Sequence, residues 1–288
     1  MKKKLFNKIC IFGVGLLGGS IGMAIKKNGL ANEVIGVGRD IGRLRKAVSA
    51  GAVDKVTTDY TAEVKDADLI ILSMHINSSL EVAKKIAPFL KKDAVVTDVE
   101  STKELFCKKM QGILPDGIHF VGAHPIAGLE RQGIDVATHR LFTEAVCVIT
   151  RTSKTNKHAL LKIKELWNKV GADVVFCSPS QHDKLVALTS HLPHIAAVSL
   201  VNTLGKADTI DRDLKLVVGN GFRDTTRIAS SSPEMWQEIC VTNKKNILGV
   251  LSKFQKELDK MCKLIDGSDR EKLIKEFKKA KSIRSILG

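Results

Sequence analysis

Short apolar segments alternate with amphipathic segments along the first 177 residues of the chain. The apolar segments are predicted strands at residues 8–12, 34–37, 69–73, 94–99, 145–150 and 173–177. Helical periodicity lies between them at residues 41–50, 78–90, 102–110 and 155–170. Strands that alternate with helices form right-handed βαβ units around a parallel sheet, so the pattern predicts a Rossmann-type, doubly wound α/β domain.

The pattern changes after Ser178. Strand signals stop, and helices are predicted at residues 180–204, 206–218, 233–265 and 268–284. Pro233 suits the first position of a helix, with Ser232 as its N-cap. We therefore expect a nucleotide-binding domain over residues 1–177 and an all-α domain over residues 178–288. Apolar helices with few partners favour a homodimer formed through this second domain.

The composition is typical of a water-soluble globular protein. The 288 residues are 44% hydrophobic and 27% charged, and apolar runs are interrupted before the roughly 18 residues of a membrane-spanning helix. The six cysteines form no C-x-x-C pair, so we expect reduced thiols and a cytoplasmic protein. The net charge of +15 is dispersed over the predicted helices. We expect a small anionic substrate and neither a nucleic-acid nor a membrane partner.

A glycine-rich fingerprint follows the first predicted strand. Gly13, Gly15 and Gly18 match G-x-G-x-x-G, with Leu16 and Leu17 opening a helix. The glycines allow a tight turn and a close approach of a pyrophosphate to the free N–H groups of the helix N-terminus. We predict a dinucleotide site here, with Ser73 at the end of a neighbouring strand as a further cofactor contact.

The residues after the second strand bear on the choice between NAD and NADP. The acidic ribose ligand is expected about 20 residues past the fingerprint, where Gly38 stands instead. Arg39 follows and, with help from Arg43, could bind the 2′-phosphate of NADP. These residues mildly favour NADP. Asp40, two residues late, keeps NAD open, and a solvated Arg39 is an equal alternative.

Two segments that follow the fingerprint in the sequence contain candidate catalytic residues. His124 lies in G-A-H-P-I-A-G, between a predicted strand and a stiff loop, where it is a candidate acid/base. Ser101 lies in D-V-E-S-T-K, directly after the strand 94–99. The carboxyl ends of the strands of a parallel sheet face the ligand-binding crevice, so a side chain at this position can contact a ligand. Ser101 is also a candidate N-cap of the helix 102–110.

Three further histidines raise the question of a metal. His182 and His191 are nine residues apart, about 180° around an α-helix, and Pro193 disrupts the turn between His191 and His194. Zinc needs three or four ligands, so two histidines alone are a poor site. We expect no metal and instead polar contacts in a cleft between the domains.

A predicted glycine-containing turn carries Arg223 and Arg227. Arginine binds carboxylates through two parallel hydrogen bonds, whereas a surface salt bridge is the ordinary alternative. Phe222 and Ile228 beside the arginines favour partial burial. We therefore expect these arginines to be partly buried and able to pair with a carboxylate.

In combination these motifs resemble the prephenate/arogenate dehydrogenase family of tyrosine biosynthesis. The resemblance covers about residues 7–265 and rests on the fingerprint with its trailing serine, D-V-E-S-T-K, G-A-H-P-I-A-G, H-D-K-L, S-H-L-P-H, and G-F-R-D-T-T-R-I-A followed by P-E-M-W. It implies oxidative decarboxylation of a cyclohexadienol with a nicotinamide cofactor, by a dimeric enzyme.

The resemblance also implies roles for individual residues. His124 and Ser101 would contact the ring hydroxyl, His194 would lie in the active site, and Arg227 would bind a substrate carboxylate. His191 and Arg223 are further substrate-binding candidates. Three positions depart from the family pattern: Glu100 stands where glycine is common, His75 stands where proline-containing sequences are common, and Gly38 leaves the cofactor preference open.

Three alternatives stay open beside prephenate dehydrogenase. An arogenate dehydrogenase would use a substrate with an amine in place of the keto group. A β-hydroxyacid or imine reductase of the same architecture commonly places a lysine on the interdomain helix, where this chain has His182, His191 and His194. A dinucleotide sensor without catalysis would not need Ser101, His124 and Arg227 together.

Overall fold

An eight-stranded sheet organises the first part of the chain in a computed structural model that describes residues 4–128, 131–206 and 216–287. The strand order is β3-β2-β1-β4-β5-β6-β7-β8. The strands are β1 (Phe6–Phe12), β2 (Ala31–Val37), β3 (Lys55–Thr57), β4 (Leu69–Leu72), β5 (Val95–Asp98), β6 (His119–Pro125), β7 (Val146–Thr150) and β8 (Asp173–Cys177). All neighbouring pairs are parallel except β6 and β7, which are antiparallel.

Helices cover both faces of this sheet, which confirms the doubly wound α/β prediction. They are α1 (Leu16–Lys27), α2 (Ile41–Ser49), α3 (Ile76–Ile86), α4 (Glu104–Ile113) and α5 (Lys157–Lys169). Side chains of α1 and α5 join one buried cluster, and those of α3 and α4 join the other. Burial on both faces explains why the strands are continuous apolar runs without alternation.

Strand β1 shows this two-sided burial residue by residue. Ile9 and Ile11 belong to the first cluster, whereas Cys10 and Phe12 belong to the second. Successive side chains point to opposite faces of a strand, and here each face meets a layer of helices.

The second part of the chain is helical, as predicted. Its helices are α6 (Pro179–Val186), α7 (Leu192–Leu204), α8 (Asn220–Thr226), α9 (Pro233–Thr242), α10 (Lys244–Asp266) and α11 (Arg270–Ile286). Ser232 caps α9 by accepting from the Met235 N–H at 3.3 Å, as its sequence position predicts. Most of the helix predicted at residues 206–218 lies outside the described residues.

One stretch corrects the expectation that no apolar segment reaches membrane-spanning length. Helices α6 and α7, joined by a π-turn over Ala187–His191, run through Pro179–Leu204 as a 26-residue helix with a mean hydropathy of 1.3 in its most apolar window. Core helices of soluble proteins have the same length and composition. This helix carries the buried polar residues His182, Asp183 and His191.

Candidate active site

The glycine fingerprint forms the turn between β1 and α1, at the carboxyl ends of the parallel strands. Gly13 has a φ of +87°, and a Cβ there would lie 2.2 Å from the Ser73 carbonyl oxygen. A Cβ on Gly18 would lie 2.2 Å from the Gly13 carbonyl oxygen. These two glycines therefore allow the backbone of the turn to pack on itself and on the end of β4.

Gly15 has a different environment. A Cβ on Gly15 would meet no atom within 4 Å, and Gly15 stands at the N-cap of α1 with no side-chain cap. Open space in front of uncapped helical N–H groups fits a pyrophosphate. Within the turn of Gly13, Gly15, Leu16, Leu17 and Gly18, the open space thus lies at Gly15.

Asp40, after the end of β2, caps helix α2. Its Oδ1 accepts hydrogen bonds from the Gly42 and Arg43 N–H groups at 2.8 and 3.1 Å, so it is the N-cap of α2. Its Oδ2 lies 3.5 Å from Arg43 Nε. Arg39 is exposed beside it. The carboxylate that keeps NAD open as a cofactor therefore already accepts two hydrogen bonds from α2.

A buried ion pair organises the loop that carries Ser101. Lys103 Nζ lies 2.5 Å from Asp98 Oδ2, and both side chains are 0% exposed. The same ammonium donates to the Glu100 carbonyl oxygen at 2.5 Å, and Asp98 Oδ2 also accepts from the Glu100 N–H at 2.9 Å. Asp98 Oδ1 accepts from the Ala123 N–H at 3.1 Å. The pair thus ties this loop to β6, next to His124.

The predicted capping role of Ser101 is wrong. Helix α4 begins at Glu104, with Lys103 at its N-cap position and no cap from its own segment. Asp183 of α6 supplies the cap: its Oδ1 accepts from the Lys103 N–H at 2.7 Å and its Oδ2 from the Glu104 N–H at 2.9 Å. The half-buried Ser101 hydroxyl is not committed to α4.

His124 lies inside a strand, which corrects its predicted position before a stiff loop. Strand β6 continues through Pro125 and pairs His124 with Val148 of β7. Gly122 allows β6 to pack closely on Thr150 of β7, because a Cβ on Gly122 would lie 2.6 Å from Thr150 Oγ1. Strand pairing, more than loop stiffness, therefore holds the histidine in place.

A hydrogen-bonded chain connects His124 to a carboxylate. His124 Nδ1 lies 2.8 Å from His182 Nε2, and His182 Nδ1 lies 2.7 Å from Asp183 Oδ1. A carboxylate only accepts hydrogen bonds, so His182 donates from Nδ1 and accepts at Nε2 from His124 Nδ1–H. This assignment leaves the lone pair of His124 at Nε2, the atom that can accept a proton from a ligand.

His124 and His182 are both neutral near pH 7. Burial, with the neighbouring His182 and Lys103, lowers the pKa of His124 well below 6.5. Burial also lowers the pKa of His182, and the hydrogen bond to Asp183 opposes that shift. A neutral imidazole next to a reacting hydroxyl is the state that a general base requires.

A second polar cluster extends from Asp183 into the helical domain. Asn243 Nδ2 lies 2.8 Å from the Asp183 carbonyl oxygen and 3.1 Å from His191 Nδ1. His194 stacks on Trp236 with 3.4 Å between ring centroids, and burial lowers its pKa to about 4. Among the described residues the buried His194 Nδ1 has no hydrogen-bond partner.

The two arginines are placed differently from expectation. Gly219–Arg227 forms α8 and the start of a 3₁₀ turn over Arg227–Ser230, and both Arg223 and Arg227 are exposed, so the predicted partial burial is wrong. Arg223 Nε donates to the Val218 carbonyl oxygen at 3.2 Å. The segment packs against α7, the helix that carries His194.

Several residues that build this site have no predicted role in the sequence. The sequence predicts His182 only as a polar contact in a cleft, and it assigns no role to Asp183, although both lie in H-D-K-L. The tie between Asp98 and Lys103 and the contact of Asn243 had no local signal. Within the described residues no group of three or more His, Cys, Asp and Glu side chains is arranged to hold a metal.

The comparisons with known proteins agree on one family. Residues 21–176 match the family described as "Prephenate dehydrogenase, nucleotide-binding domain", and residues 178–279 match "Prephenate dehydrogenase, dimerization domain". A prephenate dehydrogenase of Bacillus subtilis is 35% identical over 282 residues, which cover 98% of this chain and 76% of that relative.

Solved structures give the same result. Prephenate dehydrogenase from Aquifex aeolicus in complex with hydroxyphenyl propionate and NAD⁺ superposes with a TM-score of 0.92 at 36% identity, covering 98% of both chains. Synechocystis arogenate dehydrogenase superposes with a TM-score of 0.83 at 29% identity, covering 98% of this chain and 100% of that one.

The fingerprint glycines make a matched pair for mutagenesis. We expect Gly15→Ala to keep the free energy of unfolding within about 1 kcal/mol but to weaken dinucleotide binding at least about tenfold, because the added methyl group fills the pyrophosphate space. Gly18→Ala should instead destabilise the fold by about 2 kcal/mol or more through its backbone clash. Denaturant unfolding and cofactor titration separate the two effects, and equal loss of stability in both variants would contradict the assignment.

Proposed function

Because this chain belongs to the prephenate dehydrogenase family, we propose that His124 is the general base of an oxidative decarboxylation that converts prephenate to 4-hydroxyphenylpyruvate. The observation that carries this proposal is the chain from His124 through His182 to Asp183, which leaves His124 Nε2 free as an acceptor. A dinucleotide sensor would not require an oriented base of this kind. A nicotinamide cofactor held at the β1–α1 turn supplies the acceptor for the hydride.

His124 first takes a proton from the substrate. As the hydride leaves the hydroxyl-bearing ring carbon, His124 Nε2 accepts the hydroxyl proton, and the carbon–oxygen bond becomes a ketone. The positive charge on the imidazole is stabilised through His182 by the Asp183 carboxylate. General-base help of this type contributes about 10²–10⁴-fold to the rate.

The proton then returns to the product. Carbon dioxide leaves from the ring carbon opposite the new ketone, and the electron pair of the broken bond moves through the ring to the oxygen. The ring becomes aromatic, and His124 gives its proton to the phenolate oxygen. Overall the substrate loses one hydride and one carbon dioxide, and no net proton is released.

The remaining site residues are assigned by position and chemistry. Ser101, on the loop tied to β6, orients the ring hydroxyl. His194, with its unpartnered Nδ1, contacts the substrate from the helical domain, and His191 supports that side through Asn243. Arg227 binds a substrate carboxylate, with Arg223 beside it, since guanidinium groups match carboxylates in shape and charge.

Arogenate is a second candidate substrate. The likeness to Synechocystis arogenate dehydrogenase favours it, because that structure superposes over nearly the whole chain. Arogenate carries the same ring, the same hydroxyl and the same ring carboxylate as prephenate. The chemistry at His124 and Ser101 would therefore be identical, and only contacts to the side chain of the substrate would differ. Family membership leaves the β-hydroxyacid alternative without support.

The cofactor is NAD or NADP. Arg39 is exposed at the end of β2, and Arg43 Nε lies 3.5 Å from Asp40 Oδ2, where it offsets the negative charge of that carboxylate. These two features favour acceptance of NADP, whereas the complex of the Aquifex relative contains NAD⁺. We propose that both dinucleotides bind, with a modest preference for NADP.

We further propose a cytoplasmic homodimer with its domain boundary between Cys177 and Ser178. Strand β8 ends at Cys177, and the Ser178 hydroxyl caps α6 at 3.1 Å. Residues 178–279 match a dimerization domain, and the apolar side chains Leu185, Leu188 and Leu200 are exposed on its long helix. Burial of these side chains against a second copy would remove them from water.

A spectrophotometric assay tests the proposed reaction. Purified enzyme is mixed with prephenate or arogenate and with NAD⁺ or NADP⁺, and reduced cofactor is followed by absorbance. We expect reduction with prephenate and, in the same run, release of carbon dioxide in equal amount. Reduction with arogenate alone would shift the function to the second candidate, and no reduction in any of the four combinations would refute both.

The role of His124 is tested by His124→Asn. We expect turnover to fall at least about a hundredfold while the Kd of the cofactor stays nearly constant, because the base is lost and the dinucleotide site is untouched. His119→Asn, at the other end of β6, is the matched control and should keep its turnover. Full turnover in His124→Asn would remove this residue from the mechanism.

Cofactor choice is tested by Arg39→Ala. We expect its Kd for NADP to rise about fivefold and its Kd for NAD to stay unchanged, since only NADP carries the 2′-phosphate. Arg45→Ala, an exposed arginine further along α2, is the control. An equal effect on both dinucleotides would show that Arg39 does not read the 2′-phosphate.

A further inference from the structure

Glu100 is a buried carboxyl group that the proposed reaction does not use. It is 6% exposed and lies between Asp98, at the end of β5, and Ser101. Its Oε1 accepts a hydrogen bond from the buried Ser79 hydroxyl of α3 at 2.6 Å, which is the only side-chain hydrogen bond that Glu100 makes with the described residues. Its backbone is held by Asp98 and Lys103.

The charges around Glu100 disfavour its ionised form. Asp98 on the adjoining strand and Glu238 on α9 are both acidic, and α3 contributes the neutral Ser79. Lys103 is the nearby cation, but its ammonium already binds Asp98 and the Glu100 carbonyl oxygen. Burial, with Asp98 and Glu238, raises the pKa of Glu100 to about 8. The side chain is therefore a neutral carboxylic acid at pH 7.

The strand order places this acid in the nicotinamide half of the cofactor site. Strand β1 lies between β2 and β4, and the ribose of the adenosine half is read at the end of β2. The nicotinamide half therefore extends over the ends of β4 and β5. Glu100 follows β5 directly and precedes Ser101, the residue assigned to the ring hydroxyl.

The charge of a neighbouring group matters to a nicotinamide ring. The oxidised ring is positively charged, and it becomes neutral when it accepts a hydride. A carboxylate beside it would stabilise the oxidised form and oppose hydride transfer, whereas a neutral acid does not.

We propose that Glu100 is a positioning residue that must stay protonated, joining α3 to the Ser101 loop through Ser79 without placing a negative charge beside the nicotinamide ring. This inference rests on the proposed use of a nicotinamide cofactor. The enzyme with an ionised Glu100 binds NAD⁺ more tightly than NADH. The ratio of the Kd of NADH to the Kd of NAD⁺ therefore rises as the pH is raised through the titration of Glu100.

The test measures both dissociation constants by calorimetry between pH 6.5 and 9.5, without substrate. We expect the ratio to be flat below pH 7 and to rise at least about threefold across pH 8 in the wild type. Glu100→Gln, which keeps the shape and removes the ionisation, should stay flat over the whole range. Glu81→Gln, on the exposed side of α3, is the matched control and should keep the wild-type rise.

Two further variants shift the pH midpoint of this rise in the Kd ratio in opposite directions. Ser79→Ala removes a hydrogen bond that favours the ionised form, so the midpoint shifts to higher pH. Glu238→Gln removes a neighbouring negative charge, so the midpoint shifts to lower pH. These shifts depend on Glu100 itself and keep the proposal testable if Glu100→Gln folds poorly.

The outcomes separate this inference from the proposed function. A flat ratio in the wild type, or the same rise in Glu100→Gln, would overturn the role of Glu100 while cofactor binding stands. Failure of both NAD⁺ and NADH, and of their phosphorylated forms, to bind at any pH would overturn the proposed function and this inference with it.

Discussion

The buried ion pair between Asp98 and Lys103 is the interaction on which the geometry of the active site depends. Its two side chains are 0% exposed, and between them they bind the backbone of Glu100 and of Ala123. Burial of two charges is costly, so such a pair adds little net stability compared with apolar side chains of the same size. Loss of either partner, however, leaves an uncompensated buried charge. The pair therefore specifies one arrangement of the Ser101 loop against β6, which a purely apolar contact would not do.

The same region joins the two domains. The Asp183 carboxylate from the helical domain caps α4 of the nucleotide-binding domain and, through His182, orients His124. Side-chain contacts of Thr102 with Thr242 at 2.9 Å and of Asn77 with Glu238 at 2.9 Å lie along the same junction. One carboxylate thus serves both the docking of the domains and the tautomer of the base. The hydrogen bonds that orient His124 therefore form only when the helical domain is in place.

Burial also determines the protonation states on which the chemistry relies. His124, His182, His191 and His194 all have lowered pKa values, because a low-dielectric interior disfavours their charged forms. The same desolvation raises the pKa of Glu100 and keeps that acid neutral. Asp98, Lys103 and Asp183 in the centre are each held by several hydrogen bonds, and burial raises the pKa of Asp98 while Lys103 opposes that shift. The site combines these compensated charges with neutral groups that can exchange protons.

The sequence by itself determined the fold class and the cofactor turn. Alternating strands and helices, and three glycines spaced G-x-G-x-x-G, depend on residues that are neighbours along the chain, and local sterics decide their conformation. The tertiary structure alone decided that His124 lies within a strand, that Ser101 does not cap α4, and that His182 and Asp183 form a hydrogen-bonded chain with His124. His124 and His182 are 58 residues apart, and Asp183 and Asn243 are 60 apart. Such contacts arise when the two domains pack together, and no periodicity or local propensity encodes which distant side chains then meet.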